Sequence, residues 1–175
     1  LGFIPDPGAG SWPVFLLLGA VSGLAAVAYN RTILKTLAVS DAARWLPVEA
    51  RAALVGCLIG FTGWIAPDLV GGGDNLTQQV LSGQAVLAAV PMIFALRFAL
   101  GALSYAAGTP GGLFAPLLVL GSQIGYLFGE AFHDAPFNSL PAPAFAVVGM
   151  AAFFTGVVRA PLTGIILVGE MTASS

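Results

Sequence analysis

Gly108-Thr109-Pro110-Gly111-Gly112-Leu113-Phe114-Ala115-Pro116 interrupts a strongly apolar tract just before a long helical pattern begins. Such a break at membrane depth is costly, because lipid cannot hydrogen-bond to freed backbone groups. It persists where it lines a cavity and where a helix N-terminus points at something negative. On these residues alone the segment reads either as a plain turn and helix start or as one wall of an anion site.

Composition decides the class. Of 175 residues, 58% are hydrophobic and 8% charged, with a mean hydropathy of +0.94. A soluble domain carries roughly 25% charged residues, so the sequence predicts an all-α integral membrane protein. Between Asp74 and Glu130 the only charge is Arg97, and between Asp134 and Arg159 there is none. The 23 glycines and 12 prolines suit close-packed, interrupted transmembrane helices. A net charge of −2 leaves no basic surface for nucleic acid. The single Cys57 lies in an apolar run and reads as a small packing residue. The chain starts at Leu1 with no signal-peptide pattern and stops at Ser175 after an apolar segment, which reads as a piece of a larger protein.

Seven helical segments of unequal length follow from the pattern: about Trp12–Ala38, Pro47–Ile65, Asn75–Leu81, Ala85–Ala107, Leu113–Phe132, Ala144–Val158 and Pro161–Met171. Pro13 and Pro47 sit in first turns, where a missing N–H does no harm. Pro91 marks either the start of its helix or a kink. Gly71-Gly72-Gly73-Asp74 reads as a flexible loop, and His133 to Pro143 as a polar, proline-rich one. Several segments fall short of the roughly 20 residues that cross a bilayer, so broken and tilted helices are expected throughout.

Four of the six cations, Arg31, Lys35, Arg44 and Arg51, flank one connection. The positive-inside rule puts that connection in the cytoplasm and Asp68, Asp74, Glu130, His133 and Asp134 on the outer side. Arg97 is the most enclosed charge, either a functional group or a structural arginine bonded to carbonyls. Arg159, between two apolar segments, reads as a carbonyl-capping or snorkelling residue rather than an ion ligand. Glu170 closes an apolar helix as a boundary residue or a proton-transfer group, and His133 belongs to a solvated loop.

Gly112-Leu113-Phe114-Ala115-Pro116 matches G-x-F-x-P, and Arg159-Ala160-Pro161-Leu162-Thr163-Gly164-Ile165-Ile166-Leu167-Val168-Gly169-Glu170-Met171-Thr172 follows some forty residues later. With Gly71-Gly72-Gly73-Asp74-Asn75-Leu76, these runs resemble the second half of the CLC family of chloride channels and chloride/proton exchangers. The resemblance covers nearly the whole chain, about helices J to P of that family. It implies one partial repeat of an inverted-repeat fold, with residues 1–175 forming a partial transmembrane domain.

The resemblance further implies chloride as the transported ligand and no cofactor. Backbone amides would bind the anion: those of Leu113, Phe114 and Ala115, with Gly112 in the same run and Gly111 and Pro116 as motif support. It implies a multi-pass protein of the cell membrane, surrounded by lipid and homodimeric when intact, with Pro161–Met171 contributing to the dimer interface. The family's G-S-G-I-P serine and G-K/R-E-G-P gating glutamate do not occur in the sequence. Its central-site tyrosine lies in a helix that would follow Ser175, so channel and exchanger are not distinguished.

The residues speak against an enzyme. The only histidine is in a loop, no G-x-S-x-G elbow is present, and metal ligands are not clustered. Two alternatives stand beside the resemblance: another broken-helix secondary anion transporter, or a fragment with only a structural or dimerisation role.

Overall fold

A computed structural model describes residues 12–42, 45–107, 112–133 and 140–173. Seven α-helices occur among them: α1 (Trp12–Ala42), α2 (Val48–Ile65), α3 (Asp74–Leu81), α4 (Val90–Ala106), α5 (Phe114–Ala131), α6 (Ala142–Val158) and α7 (Pro161–Ala173). A 3-10 turn, Pro67–Leu69, joins α2 to the glycine run. No strand occurs among the described residues.

Helix lengths bear out the broken-helix expectation. The 31 residues of α1 extend about 46 Å at 1.5 Å per residue, well beyond a ~30 Å hydrocarbon core. The eight residues of α3 reach only about 12 Å. Both α1 and α2 are long and apolar enough to cross a membrane.

Local chemistry sets the boundaries. Pro91 lies in the first turn of α4 and starts the helix rather than kinking it. Residues expected to be helical from Ala85 instead form a turn, with Ala89 N–H donating to the Val86 carbonyl at 2.8 Å. Pro143 likewise opens α6, two residues earlier than the apolar pattern indicated. Along α1 the threonines satisfy themselves on helix carbonyls, Thr32 Oγ1 donating to Ala28 at 2.8 Å. Thr36 Oγ1 reaches across to the Ala102 carbonyl of α4 at 3.0 Å.

Helix α5 is the core, with every residue from Leu117 to Tyr126 buried. Its glycines form a seam against α6. A methyl at Gly121 would lie 2.7 Å from the Gly149 carbonyl oxygen, and one at Gly129 would lie 2.7 Å from Ala142 Cα. A methyl at Gly125 would run into the Phe145 carbonyl. Without a hydrophobic drive between helices in lipid, such close backbone packing supplies the attraction.

Outward from this pair, Gly156 of α6 meets Ala26 of α1, and Asn30 Nδ2 donates to the Val157 carbonyl at 3.3 Å. Gly164 of α7 packs on Thr155 and Phe154. Tyr29 is buried edge-on against Phe98 of α4, ring centroids 4.9 Å apart. Helix α2 has no buried residue. Cys57 is exposed on it, so the expected packing role is not found: the α2 face carrying it touches no neighbouring helix.

Arg159 ends α6 in the left-handed conformation (φ 62°), its own N–H donating to the Thr155 carbonyl at 2.8 Å. The carbonyl capping expected of its side chain is not found: the side chain is exposed, and only its backbone takes part in closing the helix.

Gly125→Ala is expected to lower the stability of the full-length protein in detergent by about 1–3 kcal/mol, the usual cost of overpacking. Gly56→Ala on α2, where a Cβ meets nothing within 4 Å, is the matched control. Thermal unfolding followed by size-exclusion chromatography measures both, and the control should be unchanged or slightly stabilised.

Candidate anion site at the N-terminus of helix α5

The first turn of α5 is built so that its amides point out of the helix. Leu113 already has helical angles (φ −77°, ψ −15°), and Leu117 N–H donates to its carbonyl at 3.0 Å. Pro116 has no N–H. The preceding amides of Leu113, Phe114 and Ala115 belong to the turn whose donors a helix leaves unpaired. They carry the positive end of its dipole.

This turn borders a cavity of about 420 Å³, lined by Gly112, Leu113, Ala115 and Pro116, by Gly71 and Gly72, and by α4. None of its described lining residues is charged. Among the described residues nothing lies within 4 Å of where a Cβ on Gly112 would sit. Across the same turn, Phe114 borders a second cavity of about 180 Å³, which Ala115 shares and whose other walls include Asp74 and Thr77 of α3. The Phe114 ring meets Phe154 of α6 edge-on, centroids 5.5 Å apart.

The opposite wall corrects one expectation. The Gly71–Gly73 run, expected to be a flexible loop, is clamped. Gly71 and Gly73 both take φ 76°, a left-handed backbone that glycine adopts without penalty. Gly73 caps α3, accepting from Thr77 N–H at 3.1 Å. A Cβ on Gly73 would lie 2.6 Å from Arg97 Nη2 and 2.8 Å from Val119 Cγ2. The middle glycine presses its backbone towards α5, its Cβ position 3.5 Å from that of Ala115.

Arg97 holds this run in place. It is 5% exposed, donating from Nη1 to the Asp68 carbonyl at 2.7 Å and from Nη2 to the Gly71 carbonyl at 2.8 Å. Of the two readings left open for it, the carbonyl-bonded structural arginine is the one observed. The carboxylates of Asp68 and Asp74 lie near enough to interact with its charge.

Of the residues singled out in the sequence, Gly112, Leu113, Phe114, Ala115 and Pro116 meet at this turn. Gly111, with Gly108 to Pro110, lies outside the described residues, as do Arg44 and Asp134. Glu170 is exposed on α7 and His133 is exposed just beyond α5. Sequence reasoning missed Gly71, Gly72, Ser104 and Tyr105 as walls. The run of three successive glycines was a signal for the first two; nothing local marked Ser104 or Tyr105.

The family model described as voltage gated chloride channel matches residues 4–175. The chain belongs to this family. It is 36% identical over 166 residues to the H(+)/Cl(-) exchange transporter ClcA of Vibrio campbellii, covering 91% of this chain and 35% of that protein. It is 34% identical over 179 aligned positions to the protein of the same name from Salmonella paratyphi B, covering 98% and 37%. The crystal structure of a slow cyanobacterial Cl−/H+ antiporter superposes with a TM-score of 0.85 at 32% identity, covering 97% of this chain and 40% of that one. The fold is therefore the all-helical membrane fold of the voltage-gated chloride channel family, and the chain spans a little over a third of the length of these relatives.

Arg97→Gln is expected to destabilise the full-length protein by roughly 1.5–3 kcal/mol, the usual worth of hydrogen bonds from a charged group. Arg97→Lys, a single ammonium in place of a two-pronged guanidinium, should recover only part of that. Thermal unfolding of both variants reads the ordering.

Proposed function

We propose that this chain forms one wall of the chloride pathway of a chloride/proton exchanger, as most of the second of two inverted repeats. The observation that carries this reading is the α5 N-terminus opening, beside Gly112, on a cavity of about 420 Å³ whose described lining carries no charge. The names borne by the relatives and by the superposed antiporter support exchange rather than passive conduction.

The chemistry suits a transported anion. Backbone N–H groups of Leu113, Phe114 and Ala115 offer partial positive charge without a full cation, so binding is firm enough to admit chloride and weak enough to release it. The nearest enclosed cation, Arg97, directs two of its nitrogens at carbonyls instead. That leaves the dipole of α5 as the attraction the ion meets. In this reading the serine, glutamate and tyrosine that complete the site come from other parts of a longer protein. The exposed Leu162, Ile165 and Ile166 of α7 meet a second subunit there.

Gly112→Val should weaken chloride binding to the full-length protein roughly tenfold or more, as expected for losing a charge-assisted hydrogen bond. Stability should not fall with it, since a Cβ there meets no described atom. Isothermal titration with chloride and anomalous bromide density near Leu113 to Ala115 provide the measurements. Unchanged affinity together with bromide density elsewhere would sink the assignment.

A further inference from the structure

Exchange needs a group that takes up protons as well as an anion site, and the described carboxylates differ in whether they reach the α5 turn. Asp41, Glu49, Asp68, Glu130 and Glu170 line neither of the two cavities that this turn borders. Asp74 does: it lines the cavity of about 180 Å³ together with Phe114 and Ala115. It also lines a separate hollow of about 210 Å³, with Asp68 and Asn75. Asp74 is the described residue that these two spaces share.

Its carboxylate lies against the glycine run. A Cβ on Gly72 would sit 3.5 Å from Asp74 Oδ2 and 3.5 Å from Ala115 Cβ, so a single methyl group would touch both the acid and the first turn of α5. Gly72 itself borders the larger cavity. Arg97 of α4 interacts with the charges of both Asp74 and Asp68, and Asp68 also accepts from Asn75 Nδ2 at 3.4 Å. On the side of α5, α6 and α7, the described lining of the smaller cavity carries no charge.

An ionised carboxylate in this place opposes the anion that the α5 amides attract, and a protonated one does not. Proton and chloride therefore favour each other's binding, and that coupling is reciprocal. The plainer role for Asp74 is structural. An acid in the first turn of α3 suits the dipole of that helix and, with Asp68, balances Arg97. That role treats the two acids alike, whereas Asp74 reaches the α5 turn and Asp68 does not. The geometry points to Asp74 as a proton-binding residue of the exchange cycle. It takes a proton onto a carboxylate oxygen from water in the hollow beside Asp68, and returns it to water when the anion has moved on. No other bond is made or broken. This assignment rests on the exchanger reading given above.

Paired chloride- and pH-electrode recordings of the full-length protein in liposomes test it. The unmodified protein should move protons against chloride in a fixed ratio. Asp74→Asn should still move chloride but lower the proton-to-chloride ratio roughly tenfold or more, since a positioned proton-transfer group is usually worth at least that. Asp74→Ser, also uncharged, gives the same reading if the asparagine variant does not fold. Asp74→Glu, which keeps a carboxylate, should keep the ratio. Asp68→Asn should keep it too, although it removes the other acid beside Arg97. An unchanged ratio in a folded uncharged variant at 74 would overturn the assignment. An equal loss in Asp68→Asn would also overturn it, by tracing the effect to Arg97, and an equal loss in Asp74→Glu by tracing it to shape. Chloride flux without proton flux in the unmodified protein would overturn the exchanger reading itself, and this assignment with it.

Discussion

The contact on which the structure depends is the close approach of α5 and α6 through Gly121, Gly125, Gly129 and Gly149. In water, helices of this composition would associate by burying apolar surface. In lipid that drive is absent, and what remains is dispersion between surfaces that fit, together with a few interhelical hydrogen bonds. Glycine removes the side chain from between two backbones, so the helices meet along their main chains. The core helix α5 is fixed by this contact, and with it the position of its N-terminal turn.

A second constraint acts at the other side of that turn. A carbonyl that packing shields from water needs a hydrogen-bond partner. Arg97 supplies two such partners, to Asp68 and Gly71, and the left-handed glycines at 71 and 73 let the backbone close around its guanidinium. The cation is thus enclosed by main chain and faces carbonyls, while the neighbouring cavity keeps an uncharged lining.

Much of this was legible before any coordinates. The apolar runs, their proline starts and their lengths gave seven helices close to those observed, and the glycines and prolines marked the break before α5, while the choice of Leu113, Phe114 and Ala115 within it rested on the family resemblance. The errors share a physical cause. The Gly71–Gly73 run reads as flexible because glycine is locally permissive, yet what holds it is Arg97, more than twenty residues away in sequence. Cys57 reads as buried because it lies in an apolar segment, yet α2 is apolar around most of its surface, and hydrophobicity alone does not separate a face turned towards lipid from one turned towards protein.

The sequence by itself determined the class of protein, the positions of the helices, and the place where a glycine–proline break opens a helix within the apolar tract. These depend on composition, on periodicity, and on the local properties of proline and glycine, all short-range in the chain. Only the tertiary structure decided that Gly72 presses against Ala115, that Arg97 clamps the loop opposite, and that Gly112 borders open space. Those facts depend on which backbones pack together across the fold. In a membrane medium that is settled by shape and by hydrogen-bond satisfaction, and a one-dimensional hydrophobic pattern carries neither.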